Sequence, residues 1–60
     1  MDTLADNGTY RFRFNGVWWM EKKTGNAGWF PVRLFKQEEA ALLAAKDVGL
    51  AWRTGKETMN

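Results

Sequence analysis

The chain has 60 residues and a formal net charge of +2; 15% of its residues are aromatic, and none is Cys or His. A chain of this size buries only about 60% of the surface that its unfolded form exposes, so it forms one small domain. Without Cys or His it lacks the most common zinc ligands and several common nucleophiles and bases. We therefore expect no cofactor, no metal site and no enzyme activity.

Positive charge is concentrated in the middle of the chain. Residues 10–36 contain six basic residues and one acidic residue (6 − 1 = +5), whereas residues 1–9 sum to −2 and residues 37–60 to −1. The sequence has no long apolar run, and its first residues do not show a basic region followed by an apolar stretch. It therefore predicts neither a membrane span nor a signal peptide. We expect a cytoplasmic protein that does not bind membranes.

The first predicted elements form a β-hairpin. Residues 1–8 are polar and are expected to be a flexible leader. From Thr9 to Phe14, aromatic and basic side chains alternate, a period of two that is typical of a half-buried strand. Asn15-Gly16 predicts a two-residue type I′ turn, and a second strand is expected to run from Val17 to about Lys23.

A third strand and a helix are predicted to follow. Residues 24–28 are small and Gly-rich and predict a loop, and residues 29–35 predict a strand. That strand lies at a sheet edge, because Pro31 has no N–H to donate. Helix-forming residues begin at Lys36, and Gly49 leaves two ends open, near Val48 or near Arg53. The predicted fold is α+β: a three-stranded antiparallel meander packed on one C-terminal helix over residues 9–53, with a frayed tail at 54–60.

A two-residue turn would pair Phe14 with Val17 and Arg13 with Trp18, and this register assigns each side chain to one face of the sheet. The core face is then expected to contain Tyr10, Phe12, Phe14, Val17, Trp19, Phe30, Val32 and Leu34. Alanine-rich positions of the helix are expected to cover it, namely Ala40, Ala41, Leu43, Ala44 and Val48. The opposite face has nothing to cover it, and a contiguous Trp- and Arg-rich patch of this kind is typical of a binding surface.

This uncovered face predicts binding of double-stranded DNA. Arginine forms bidentate hydrogen bonds with guanine, Lys and Arg neutralise phosphates, and a β-ribbon fits the major groove. The candidate DNA-binding residues are Arg11, Arg13, Trp18, Met20, Lys22, Trp29 and Arg33.

Several short motifs also resemble a known family. They are Tyr10-Arg11-Phe12-Arg13, Asn15-Gly16-Val17-Trp18-Trp19, Lys23-Thr24-Gly25, and Phe35 with Glu38-Glu39-Ala40-Ala41. Their order resembles the AP2-type DNA-binding domain, and more closely the amino-terminal arm-binding domain of phage tyrosine recombinases. The resemblance covers about residues 9–48. It implies a sheet that lies in the major groove, a helix that supports it from behind, and a role in phage or mobile-element recombination or regulation.

Two other functions stay open at this stage. A small phage-type inhibitor or protein-interaction module could dock on a host protein through the same Trp and Arg side chains. Single-stranded nucleic acid or RNA could stack on Trp18 and Trp29. An enzyme is disfavoured because Glu38 and Glu39 are adjacent on a helix, where their carboxylates point about 100° apart and do not converge.

Overall fold

A computed structural model describes residues 1–54, and residues 55–60 lie outside the description. Its elements are β1 (Asp2–Asp6), β2 (Tyr10–Phe14), β3 (Trp18–Lys23), a 3₁₀ turn (Gly25–Ala27), β4 (Trp29–Phe35) and α1 (Glu38–Asp47). The strands form one antiparallel sheet in the order β1-β2-β3-β4. The α+β class is confirmed, but the sheet has four strands and not three. Within residues 1–54, no helix is long and apolar enough to cross a membrane.

The additional strand comes from the segment that the sequence predicted to be a flexible leader. β1 pairs with β2 with an irregularity between Thr3 and Ala5. The connection is held by side chains: the N–H of Gly8 donates to Asp6 Oδ1 at 2.7 Å, and the N–H of Tyr10 donates to Asn7 Oδ1 at 2.8 Å. Asn-Gly is a hairpin signal as well as a chain breaker, and here it joins β1 to β2.

The hairpin between β2 and β3 has a different register from the one predicted. Phe14 pairs with Trp18, Phe12 with Met20 and Arg11 with Glu21, one residue away from the expected pairing. A type I′ turn needs positive φ at both central residues, and among residues 1–54 only glycines have positive φ. Gly16 adopts φ 99° and Asn15 does not, so the connection includes Val17 as a third residue. Every side chain of β3 therefore changes face.

The core lies between this sheet and α1. Phe12 is fully buried and packs with Met20 and Phe35 against three helix alanines, Ala41, Ala44 and Ala45. Alanine brings the helix backbone close to the sheet, which suits a core with few large side chains.

Other predicted core positions are exposed. Phe30, Val32 and Leu34 on β4, an edge strand, are 48%, 48% and 47% exposed. Leu34 pairs with Trp19 and therefore lies on the side of the sheet away from α1, so its predicted place in the core was wrong. On the helix, Ala40 is also exposed and Leu43 is 65% exposed, because both lie outside the stripe that faces the sheet.

The chain folds back over the core after α1 ends at Asp47, near the shorter of the two predicted ends. Gly49 has φ 78°, and the N–H of Leu50 donates to the carbonyl of Ala45 at 2.8 Å. Trp52 then packs on Phe12, with 5.4 Å between ring centroids, and its Nε1–H donates to Glu38 Oε2. Of the tail predicted at 54–60, Thr54 is half-buried and the rest lies outside the described residues.

This packing predicts unequal costs for two phenylalanine truncations. Phe12→Ala leaves a cavity in the centre of the core and should reduce the free energy of unfolding by about 3–5 kcal/mol. Phe30→Ala should cost about 1 kcal/mol, since its ring is 48% exposed. Urea denaturation followed by circular dichroism measures both, with Phe12→Leu as a milder core variant. Equal losses for Phe12→Ala and Phe30→Ala would contradict this packing.

Candidate functional site

The sheet surface on the side away from α1 is called the open face below. Strand registers place on it the following residues: Thr3 and Asp6 from β1, Arg11 and Arg13 from β2, Trp19, Glu21 and Lys23 from β3, and Trp29, Pro31 and Leu34 from β4. The core cluster of Phe12, Met20 and Phe35 occupies the other side of the same strands. Helix α1 therefore covers one side of the sheet only.

The structure divides the predicted site residues between the two sides. Arg11, Arg13 and Trp29 lie on the open face as expected. The placement of the other four, which are Trp18, Met20, Lys22 and Arg33, is corrected to the helix side. The one-residue register change moves the three from β3, and a second irregularity, between β3 and β4 at Met20/Glu21, places Arg33 opposite Met20.

These four side chains have structural contacts on the helix side. Met20 is 8% exposed in the core, and the Trp18 ring lies 4.8 Å from that of Phe14. Lys22 Nζ lies 5.7 Å from the ring centroid of Tyr10, and the guanidinium of Arg33 lies 4.7 Å from that of Phe35. The cationic groups of Lys22 and Arg33 therefore cover aromatic side chains at the margin of the core.

Arg11 is held from two directions on the open face. Its Nε–H donates to Glu21 Oε1 in a salt bridge with the residue directly opposite on β3. Its guanidinium carbon also lies 4.4 Å from the ring centroid of Trp29 on β4. The Arg11 and Glu21 side chains are 20% and 12% exposed, so the pair is largely shielded from water. Such a pair loses less of its attraction to solvent screening than a fully exposed one.

Arg13 lies on the same face with weaker support. Its Nη2–H donates to the carbonyl of Met1 at 3.4 Å, a long contact. Its Nε is buried and has no hydrogen-bond partner among residues 1–54. The two arginines of β2 therefore differ: a carboxylate and a ring fix Arg11, and within the described part of the chain Arg13 has neither contact.

Sequence reasoning missed all three open-face residues of β3, which are Trp19, Glu21 and Lys23, as well as Thr3 and Asp6 on β1 and Leu34 on β4. For the β3 residues, the sequence did contain a signal, which is the charge of Glu21. The register found here sets Glu21 opposite Arg11, a favourable cross-strand ion pair, whereas the predicted register sets Met20 there. Trp19 is also fixed in place, because its Nε1–H donates to Asn15 Oδ1 at 2.9 Å.

The open face carries less positive charge than the sequence predicted. Three basic residues, Arg11, Arg13 and Lys23, stand against Glu21 and Asp6 (3 − 2 = +1). Lys22 and Arg33, which the prediction counted on this face, are on the helix side. A ligand of the open face therefore meets a few localised cations beside aromatic rings.

Two other surfaces could bind a partner. The first is a cleft of about 290 Å³ on the helix side, lined by Leu4, Phe14, Trp18, Glu38, Trp52 and Arg53. The second is the outer edge of β4, with its exposed apolar side chains. No group of three or more potential metal ligands occurs within residues 1–54.

Comparison with known proteins adds nothing to these observations. No protein-family model, curated protein or solved structure matches the chain. The assignment of a function therefore depends on the geometry of the open face.

The contact between Arg11 and Glu21 predicts a measurable coupling. A double-mutant cycle with Arg11→Ala and Glu21→Ala should give an interaction energy of about 1 kcal/mol, at the upper end of the range for exposed pairs, because both groups are largely shielded. Chemical denaturation of the four proteins measures it. Arg13→Ala and Glu39→Ala, on opposite sides of the molecule, form the control pair and should be additive within about 0.5 kcal/mol. Additivity of the first pair would show that the contact contributes nothing.

Proposed function

We propose that the chain is a DNA-binding module that places its open face in the major groove of double-stranded DNA. The observation that carries this proposal is the sheet surface that no other element within residues 1–54 covers, on which Arg11, Arg13 and Lys23 lie beside Trp19 and Trp29. Arginine supplies donors to base edges and phosphates, and indole rings supply apolar contacts to sugars and thymine methyl groups. A phage or mobile-element role, which the resemblance to AP2-type and recombinase arm-binding domains implied, is part of this proposal.

The dimensions and charge distribution of the fold support this orientation. Neighbouring strands lie about 4.8 Å apart, so β2 to β4, which carry the basic and aromatic residues of the open face, span about 10 Å, close to the width of about 12 Å of the major groove. The first strand, β1, lies outside this span. The acidic residues of α1, Glu38, Glu39 and Asp47, belong to the element behind the sheet. A polyanion at the open face would thus meet the basic residues and avoid the acidic helix.

A second candidate is binding of a protein partner at the edge of β4. Three half-exposed apolar side chains on an edge strand favour it, since among residues 1–54 β4 pairs only with β3 and a partner could add a strand on its other side. Pro31 and the irregularity at Met20/Glu21 oppose it, because both features hinder the pairing of edge strands. The open face has the more specific geometry, so DNA binding is preferred.

Salt dependence tests the DNA proposal. Affinity for a duplex should fall with salt, with each neutralised phosphate adding about 0.9 to the slope of log K against log [salt]. Arg13→Gln should reduce the slope by about 0.9 and weaken binding to all sequences alike. Fluorescence anisotropy with a labelled duplex measures both quantities.

Lys46→Gln is the matched control, because it removes one positive charge from the last turn of α1, behind the sheet. Its slope should equal that of the unmodified chain. The proposal is wrong if the chain binds no duplex, or if Arg11→Gln and Arg13→Gln bind as the unmodified chain does while circular dichroism shows them folded. Tighter binding to a single strand than to a duplex would favour the stacking alternative.

A further inference from the structure

We infer that Glu21 is a positioning residue for Arg11, and that the pair makes Arg11 the residue that discriminates between base sequences. The inference rests on the proposed function, since it assigns roles within the same DNA-binding face. It starts from the difference between the two arginines of β2. Arg11 contacts the carboxylate of Glu21 and the indole ring of Trp29, and within residues 1–54 Arg13 has neither kind of contact.

The hydrogen bond leaves the end of the guanidinium for a ligand. Arginine has five N–H donors, and the bond to Glu21 uses the one on Nε. The four others belong to the two terminal nitrogens, which can meet O6 and N7 of guanine together. A carboxylate at Nε and a ring 4.4 Å from Cζ restrict rotation of that plane, so the entropy lost on binding is small.

Glu21 also reduces non-specific attraction. Its negative charge stands beside Arg11 and opposes the approach of any phosphate, whatever the base sequence. A fixed guanidinium loses most of its interaction when the base edge does not match, because it cannot turn to another acceptor. Glu21 should therefore lower affinity for all DNA while raising the ratio between matched and unmatched sites.

Arg13 serves as the internal comparison. It has a long contact to a backbone carbonyl, and within residues 1–54 no carboxylate or aromatic ring sets the orientation of its guanidinium as Glu21 and Trp29 do for Arg11. It is assigned to phosphate contact, which depends on charge and tolerates several orientations. On this inference, Arg13 contributes affinity for any DNA, and Arg11 contributes discrimination between base sequences.

The experiment begins with selection of duplexes from a random pool by the unmodified chain. The ratio of dissociation constants for a scrambled duplex and the selected duplex defines the discrimination. Glu21→Ala, which removes both the charge and the acceptor for Arg11 Nε–H, should lower this ratio by about 5- to 150-fold, the contribution of one good bidentate contact, while binding to the scrambled duplex becomes tighter. Arg11→Lys, which keeps the charge and loses the planar fork, should lower the ratio similarly and leave the salt slope unchanged.

The double variant separates positioning from an independent role. Glu21→Ala should cause no further loss in the Arg11→Lys background, because Glu21 acts through the guanidinium. Glu39→Ala, the same truncation on α1, should leave the ratio unchanged. The inference is overturned if Glu21→Ala keeps the full ratio, if its effect persists in the Arg11→Lys background, or if the unmodified chain binds duplexes without discrimination. Absence of any duplex binding would overturn the proposed function as well, and the selection step alone would reveal it.

Discussion

The register of the β2–β3 hairpin is the constraint on which the rest of the structure depends. Since side chains alternate between the two sides of a strand, the three-residue connection at 15–17 decides the side of every residue in β3. It places Met20 beside Phe12 in the core and Glu21 beside Arg11 on the open face. The same pairing thus determines both the hydrophobic core and the chemistry of the candidate site.

The two sides of this small sheet have different environments, since one packs against the helix and the other faces solvent. Within residues 1–54, Phe12 is the largest fully buried side chain, and much of the remaining cover comes from alanines and from the segment after α1. One helix covers one side, so the other side must be stable in water. The Trp29 ring over Arg11 and the cross-strand ion pair of Arg11 with Glu21 contribute to that stability, and they are also the groups that the proposed DNA contact would use.

Much of the architecture could be predicted from the sequence, because period-two alternation at residues 9–14, Pro31 and the alanine-rich helix are strong local signals. The register could not be read from the turn alone. Asn15-Gly16 favours a two-residue turn, and the neighbouring pair Trp18-Trp19 places a tryptophan on each side in either register. The two registers differ in the pairing of Arg11 with Glu21 and in the burial of Met20 beside Phe12, and both are cross-strand properties. β1 was missed because its pairing partner, and not its own composition, makes it a strand.

The central claim is that the open face, and not the helix side or the edge of β4, contacts double-stranded DNA. An NMR amide- and indole-shift titration with a short duplex tests it most directly. The account predicts shifts that concentrate at Arg11, Arg13, Trp19 and Lys23, including the indole N–H of Trp19, while amides of α1 stay in place. Shifts confined to α1 or to the outer edge of β4, or no shift with duplex at all, would contradict it.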